Sequence, residues 1–303
     1  MTKTSPGQGP HQHVCQAGRR TTTLPEGGAG ISRRVWVPCT AGLQVAQATL
    51  DYLALALRAV RISKTTLYRK LDAPAQALVT IVYLRTNLTY AELAAGYGLD
   101  PSTMWRNISE GITALAGRAI RLRDVLRLAR KMGWEYLLLD GTLVPTVAFG
   151  RKIAPKQAHY SGKHKKHGAS IQTVCAPDGT LLWASAALPG KTHDVTAYRA
   201  HQLQQRLADD FATLAGLGCK GAAATITGYK KPRGAQLTPA QKAANAVHAA
   251  LRSPGERGNA QLKWWRVLAT EMRCRPRRCT TMVKACLTLH HLEVQPFTTP
   301  HAA

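Results

Sequence analysis

Apolar residues recur three and four positions apart from about Leu43 to Arg130: Leu50, Leu53, Leu55, Leu57 and Val60, then Ala77 to Leu84, then Ile112 to Ile120. This spacing collects them on one face of a 3.6-residue helix and predicts an all-helical region. After Arg130 the period changes. Trp134 to Asp140 is a short apolar run ending in a carboxylate, which predicts a buried strand. Ala169 to Cys175 and Leu181 to Ala187 flank the turn Ala176-Pro-Asp-Gly179 and predict a hairpin. A helix from about Asp194 to Leu207 follows, then strands near Phe211 to Leu217 and Ala224 to Gly228, a loop Tyr229 to Leu237, and a long helical stretch from Pro239 onward. Residues 1 to about 33 are rich in Gly, Pro, Thr, Gln and His. They have too little apolar content to offset the entropy of folding and are expected to be a disordered tail.

The order strand, strand, strand, helix, strand, strand, helix predicts an α/β fold, a ribonuclease H-like mixed five-stranded sheet with flanking helices. An all-helical domain precedes it. The expected divisions are a tail at 1–33, a helical domain at 34–130, the sheet domain at 131–293 and a tail at 294–303. In such a sheet the first and third strands point the same way, so Asp140 and the helix start at Asp194 are expected at one edge. The far end of the fourth strand, near Gly216, reaches the same edge, whereas Asp209 and Asp210 lie at the opposite end.

Within the helical region, residues 89–108 read as helix, tight turn, helix. Thr89 followed three residues on by Glu92 is a capping box. Gly96 and Gly98 end the first helix, and Asp100 with Pro101 supplies a cap and a favoured first residue for the second. The start of that second helix offers Ser102, Thr103, Arg106 and Asn107, side chains suited to phosphates and base edges in a major groove.

Charge strengthens this picture. The 303 residues carry 41 Lys and Arg against 16 Asp and Glu, a formal charge of +25. Residues 1–130 hold 17 basic and 7 acidic residues and residues 131–303 hold 24 and 9, so the basicity pervades the chain. A body this cationic calls for a polyanionic partner, and double-stranded DNA is the first expectation. No apolar run approaches the roughly 20 residues of a membrane span, and residues 1–34 lack the core of a signal peptide, so a cytoplasmic protein without a membrane partner is expected. Seven cysteines without a C-x-x-C pair read as reduced thiols rather than as a disulfide framework or a zinc module.

Few carboxylates are available for chemistry. Asp178 belongs to a turn, Glu135 to a strand start, and Glu271 and Glu293 to basic helical surroundings. Asp140, Asp194 and Glu256 are left. Asp140 follows a buried run and needs a metal or a cation to compensate it. Asp194 caps a helix, a role compatible with metal binding. On a continuous helix Arg252, Glu256 and Lys263 fall within roughly a 40° arc, although Pro254 and Gly255 can also mark a fresh helix start. Carboxylates gathered at one sheet edge suit two divalent metal ions, which activate a water or a 3′-hydroxyl for phosphodiester transfer. Lys163, Lys165 and Lys166 form a cationic patch with His164 and His167, and Lys230 and Lys231 form a second in a Pro/Gly loop.

These motifs resemble those of bacterial insertion-sequence transposases with a DDE-superfamily endonuclease domain, of the actinobacterial type with an N-terminal helix-turn-helix. The resemblance covers roughly residues 40–293. It rests on Thr89-Tyr-Ala-Glu-Leu-Ala-Ala-Gly-Tyr-Gly-Leu99, Leu137-Leu-Leu-Asp-Gly-Thr-Leu143 and Tyr160-Ser-Gly-Lys-His-Lys-Lys-His-Gly168. Pro177-Asp-Gly-Thr-Leu-Leu-Trp183, Leu188-Pro-Gly-Lys-Thr-His-Asp194, Tyr229-Lys-Lys-Pro-Arg-Gly234 and the Arg252, Glu256, Lys263 signature complete it. The resemblance implies Asp140 as first catalytic aspartate and metal ligand, Glu256 as final glutamate, two Mg²⁺ or Mn²⁺ ions and no organic cofactor. It also implies element terminal repeats and target DNA as substrates, and a homo-dimer or higher assembly when two ends are bridged. Arg252 and Lys263 are expected to meet DNA. The family's middle aspartate stands in an Asp-x-Gly-Tyr context, and here the matching residues are Gly216, Leu217, Gly218 and Cys219. Two expectations follow. Either Asp194 completes the metal site, or the chain is a decayed transposase that binds DNA, as a relic or a repressor, without cutting it.

Overall fold

In the computed structural model the first long strand, β1 (Tyr136–Pro145), is the axis of the sheet. The structure describes residues 43, 45–66, 69–148, 158–207 and 211–294, all within one compact unit, Trp36–Ala303. The expected tails, apart from Val294, lie outside the described residues, as do Asp209 and Asp210.

The other strands are β2 (Tyr160–Ser161), β3 (Lys166–Cys175), β4 (Leu181–Ala184), β5 (Leu188–Pro189), β6 (Ala212–Ala215) and β7 (Thr225–Ile226). β3 runs antiparallel to β1 with Asp140 opposite Thr173, and β4 runs antiparallel to the end of β3. On the other side β6 is parallel to β1, with Leu139 opposite Ala215, and β7 is parallel to β6. The path β4-β3-β1-β6-β7 is the expected mixed five-stranded arrangement. The short β2 and β5 pair with the first half of β3 and make the sheet seven-stranded. The strand expected over Leu181 to Ala187 divides because the Ser185 hydroxyl takes over a ladder position, accepting from the Gln172 amide at 2.9 Å.

Two further expectations are corrected. The strand expected to end at Asp140 continues five residues to Pro145, because β3 keeps pairing with it after the β6 ladder has stopped at Leu139. Asp140 is therefore mid-strand. The helix expected over Asp194 to Leu207 breaks into α6 (Asp194–Ala200) and α7 (Leu203–Leu207) at Gln202, whose φ is +53°.

The helical region comprises α1 (Gln47–Ser63), α2 (Ala73–Thr86), α3 (Tyr90–Tyr97), α4 (Pro101–Ala116) and α5 (Leu122–Lys131). The stretch from Pro239 onward forms α8 (Pro239–Arg252), α9 (Gly255–Lys263), α10 (Arg266–Ala269) and α11 (Cys279–Val294). Alternation along β1 sorts two cores. Leu138 packs into the larger cluster with α1 to α4, α9 and α11, whereas Leu137 and Leu139 face the smaller cluster with α5, α6 and α7. The described cysteines 175, 219, 274, 279 and 286 are all free and buried. None of the described helices is long and apolar enough to cross a membrane.

Arg85 ties the helical region to the segment after α9. Its guanidinium lies 3.2 Å from the Trp264 ring centroid, Nη1 donates to the Trp264 carbonyl at 2.7 Å, and Nε donates to the Leu43 carbonyl at 3.1 Å. Trp265 beside it is fully buried in the core, whereas Trp264 is 38% exposed and packs against Arg85. Arg85→Met strands two carbonyls and loses the stacked cation, and is expected to lower the unfolding free energy by about 2–4 kcal/mol in urea titration.

α11 carries His290 and His291, both pushed down to about 4 by burial. The unfolded imidazoles titrate near ~6.5, so the unfolded chain binds more protons between that value and about 4. Stability is complete above this window and falls as pH drops through it. His290→Leu is expected to flatten the fall, measured as urea midpoint against pH.

Candidate functional site

Three local devices place α4. Thr89 caps α3, with its hydroxyl accepting from the Glu92 amide and Glu92 reaching back to the Thr89 amide. Gly98 closes the helix in a left-handed conformation, φ +61°. Asp100 accepts from the Ser102 amide at 2.7 Å and Pro101 opens the first turn of α4. Met104, Ile108, Ile112 and Leu115 bury the inner face of α4.

Ser102 and Arg106 are exposed and Thr103 is half-buried, as a recognition surface requires. Asn107 departs from expectation. Its carboxamide is buried and donates to the Thr103 carbonyl at 2.9 Å, while the Asn107 backbone carbonyl accepts from the Gln76 side chain. Position 107 lies three residues after Met104 and four before Gly111, on the inner stripe, so helical spacing turns it inward. The outer face instead presents Trp105, 43% exposed, with the Arg278 guanidinium 5.5 Å from its ring centroid. Arg278 also donates to Ser109 at 2.9 Å. An open groove of about 710 Å³ runs alongside, with Lys64, Arg69, Trp105, Arg106 and Arg118 among its walls. Lys64 and Arg69 share Glu110 at 3.0 Å each.

The second cluster centres on Asp140. Its Oδ1 accepts from Arg252 Nη2 at 3.1 Å and its Oδ2 from Asn259 Nδ2 at 2.7 Å. The Thr173 hydroxyl, opposite on β3, lies 3.0 Å from Asn259 Oδ1 and 3.2 Å from the Asp140 carbonyl. Lys263 is half-buried, and its ammonium is lowered from the usual lysine value by burial, an effect that the nearby Asp140 opposes.

α9 reaches this position through small residues. Gly255, Gly258 and Leu262 form its buried face. A side chain at Gly258 would run into Cys175 Sγ, and one at Gly255 would touch Leu138. Asn259, absent from the sequence reading, falls on the same arc as Arg252 and Lys263. The periodicity was sufficient to find it, but its neutral side chain carried no charge signal.

Asp194 approaches from the other side. Asp140 follows Leu139, so its side chain lies on the Leu138 face, whereas Gly141 lies on the face of Leu137 and Leu139. The Asp194 carboxylate fills the space where side chains of Gly141 and Gly218 would stand, with Lys163 3.6 Å from Oδ2. The two aspartates share an edge of the sheet but sit on its opposite faces. Asp194 lines a cleft of about 450 Å³ with Ser161, Lys163, His164, Lys191 and His193. Burial, Lys163 and Lys263 lower the His164 value, and Asp194 opposes them. The side-chain carboxamide of Gln172, fully buried beside Gly141, has no hydrogen-bond partner among the described residues.

Glu256 is exposed on the first turn of α9, one turn before Asn259. Lys165, Lys166, Lys230 and Lys231 are exposed. Arg252, expected to meet DNA, turns inward onto Asp140.

Comparison with known proteins identifies this arrangement. A family model described as DDE superfamily endonuclease matches residues 139–291, about half of the chain. The chain belongs to the DDE-superfamily endonucleases. A second model, the helix-turn-helix of DDE superfamily endonuclease, matches residues 69–119, the segment that contains α2 to α4. A putative transposase for insertion sequence element IS112 from Streptomyces albus G is 28% identical over 195 residues, covering 64% of this chain and 70% of the relative. The resemblance to insertion-sequence transposases seen in the motifs is upheld.

DDE-superfamily endonucleases generally use divalent metal ions, and the residues here were expected to hold them through Asp140, Asp194 and Glu256. The geometry does not fit such a site. Among the described residues no three His, Cys, Asp or Glu side chains come together as metal ligands. Asp140 has both oxygens engaged by Arg252 and Asn259, Asp194 lies across the sheet, and Gly216 offers no donor. The backbone does not require that glycine, because its φ of −72° and ψ of 167° suit any residue.

Packing makes a contrast between two glycines. Gly258→Ala forces a methyl into Cys175 and is expected to cost about 1–3 kcal/mol. Gly216→Ala meets its nearest neighbour at 3.4 Å and should be neutral or stabilising by roughly 0.4–1 kcal/mol. Urea denaturation of the two variants checks both values.

Proposed function

We propose that this chain is a transposase-type protein whose activity, as its sequence stands, is the binding of duplex DNA rather than divalent-metal-dependent strand cleavage. The observation that carries the binding is the exposed start of α4, where Ser102, Trp105 and Arg106 face outward beside Arg278, on a chain of charge +25. The match to a helix-turn-helix model over 69–119 supports it. Terminal repeats of an insertion sequence are the proposed target, by likeness to the IS112 relative.

In this proposal α4 lies in the major groove. Arg106 supplies the charged reading group, Ser102 and Thr103 contact backbone phosphates or bases, and Trp105 packs against the sugar edge. Lys165, Lys166, Lys230 and Lys231 hold flanking phosphates from the sheet domain, and Lys163 is partly neutralised by Asp194. Two copies on two element ends would give the assembly its dimeric form. The roles proposed for Asp140, Asp194 and Glu256 in the sequence analysis, as ligands of two Mg²⁺ or Mn²⁺ ions, are not carried into this function, because Asp140 is already compensated by an arginine of the chain itself.

Two measurements test the proposal. In fluorescence anisotropy on a short duplex, affinity should fall linearly in logarithm with salt, and Arg106→Ala should weaken binding about tenfold and reduce the slope by about one. In Mn²⁺, supercoiled plasmid should stay uncut. Nicking by the unaltered chain that Glu256→Gln abolishes would replace this function with the cleaving one, since Glu256 stands one turn from Asn259.

A further inference from the structure

The Asp140 cluster compensates a carboxylate without any ion from solution. Arg252 Nη2 lies 3.1 Å from one oxygen, and the side-chain exposures of the two partners are 27% and 24%, so the pair is largely withdrawn from water. Asn259 holds the second oxygen at 2.7 Å, and the Thr173 hydroxyl orients Asn259. Lys263 adds a second positive charge near Asp140.

Gly216 lies beneath the guanidinium. The parallel ladder pairs Leu139 with Ala215, so the next residues along, Asp140 and Gly216, are neighbours at the end of that ladder. A Cβ at Gly216 would lie 3.4 Å from Arg252 Cζ and Nη2 and 3.8 Å from Nε. The guanidinium therefore lies directly over the glycine. Arg252 Nε is buried and has no hydrogen-bond partner among the described residues. That donor lies within reach of a side chain at position 216.

We propose that the Arg252 guanidinium, seated over Gly216, is the resident counter-charge of Asp140 and takes the place of a divalent cation there. The inference deepens the DNA-binding function proposed above and rests on it for its meaning, though not for its geometry. A tethered guanidinium is always present at the carboxylate. A divalent ion would have to displace it, leave it unpaired in a part-buried site, and accept the repulsion of both Arg252 and Lys263 beside Asp140. The same geometry makes position 216 a lever. A carboxylate added there meets the unused Nε and satisfies a buried donor.

The test uses the full chain and Mn²⁺ alone, with loss of the free aqueous Mn²⁺ resonance as the readout of uptake. The unaltered chain is expected to take up no Mn²⁺ at this site, seen either as no uptake or as uptake that Asp140→Asn leaves unchanged. Uptake that Asp140→Asn abolishes overturns the proposal. Arg252→Met is expected to raise Mn²⁺ affinity at least tenfold, and Arg252→Met with Asp140→Asn to remove that gain; no gain in a folded Arg252→Met overturns it too. If Arg252→Met does not fold, Gly216→Asp decides independently. The added carboxylate should raise the melting temperature by several degrees without Mn²⁺, and an unchanged or lower value would overturn the seating of the guanidinium, with its unused Nε, over position 216. Duplex anisotropy on the same samples separates the two claims, because Mn²⁺ uptake at Asp140 would leave the binding result standing, and loss of duplex binding would leave the counter-charge result standing.

Discussion

The pleat of β1 constrains everything around it. Because β1 is covered on both faces, successive residues serve different cores: Leu138 the helical side and Leu137 with Leu139 the α5 to α7 side. That alternation continues past the end of the parallel ladder, where it sends Asp140 to one face and the Gly141 position to the other. Asp140 then meets α8 and α9, and Asp194 at the start of α6 settles into the space over Gly141 and Gly218. A one-residue shift would exchange the faces and put Asp140 on the Asp194 side, so the separation of the aspartates is set by the same register that assigns Leu138 to one core and Leu137 with Leu139 to the other.

Charge balance follows from this placement. A carboxylate largely withdrawn from water requires a partner, and on this face the donors are Arg252, Asn259 and, nearby, Lys263. The glycines of α9 bring Asn259 close enough, since Gly258 leaves no room even for a methyl against Cys175. The arginine lies over the strand end at position 216. Composition, helix packing and electrostatics thus converge on a compensated carboxylate, while the cationic surface outside it remains free for a polyanion.

The helix-turn-helix depends on a different set of forces. Its geometry is fixed by local chemistry, the capping box at Thr89, the left-handed Gly98 and the Asp100–Pro101 start, and its docking by the inner stripe of α4 against α11 and α2. α11 is buried along much of its length, and the Thr288 hydroxyl donates to the Leu115 carbonyl at 3.0 Å. The helical region and the sheet therefore share one apolar cluster, and Arg85 adds a polar tie between them.

The sequence by itself determined what is local. Hydrophobic period separated helices from strands, cap residues located α3 and α4, and the Asp178 turn was legible in its four residues. Element order was sufficient for the mixed five-stranded path, and the motifs were sufficient for the family. Helical spacing also contained the inward turn of Asn107 and the position of Asn259, although polarity drew attention to the first as a reader of DNA and away from the second. What only the tertiary structure decided is how residues distant in sequence meet. The extension of β1 past Asp140 depends on pairing with β3, the division of Asp140 and Asp194 depends on which helix covers which face, and the seating of Arg252 over Gly216 depends on the docking of α8 beside β6. Local signals report propensities of a few neighbouring residues, whereas a charge partner is chosen by packing across the whole sheet, and no spacing rule along the chain encodes that choice.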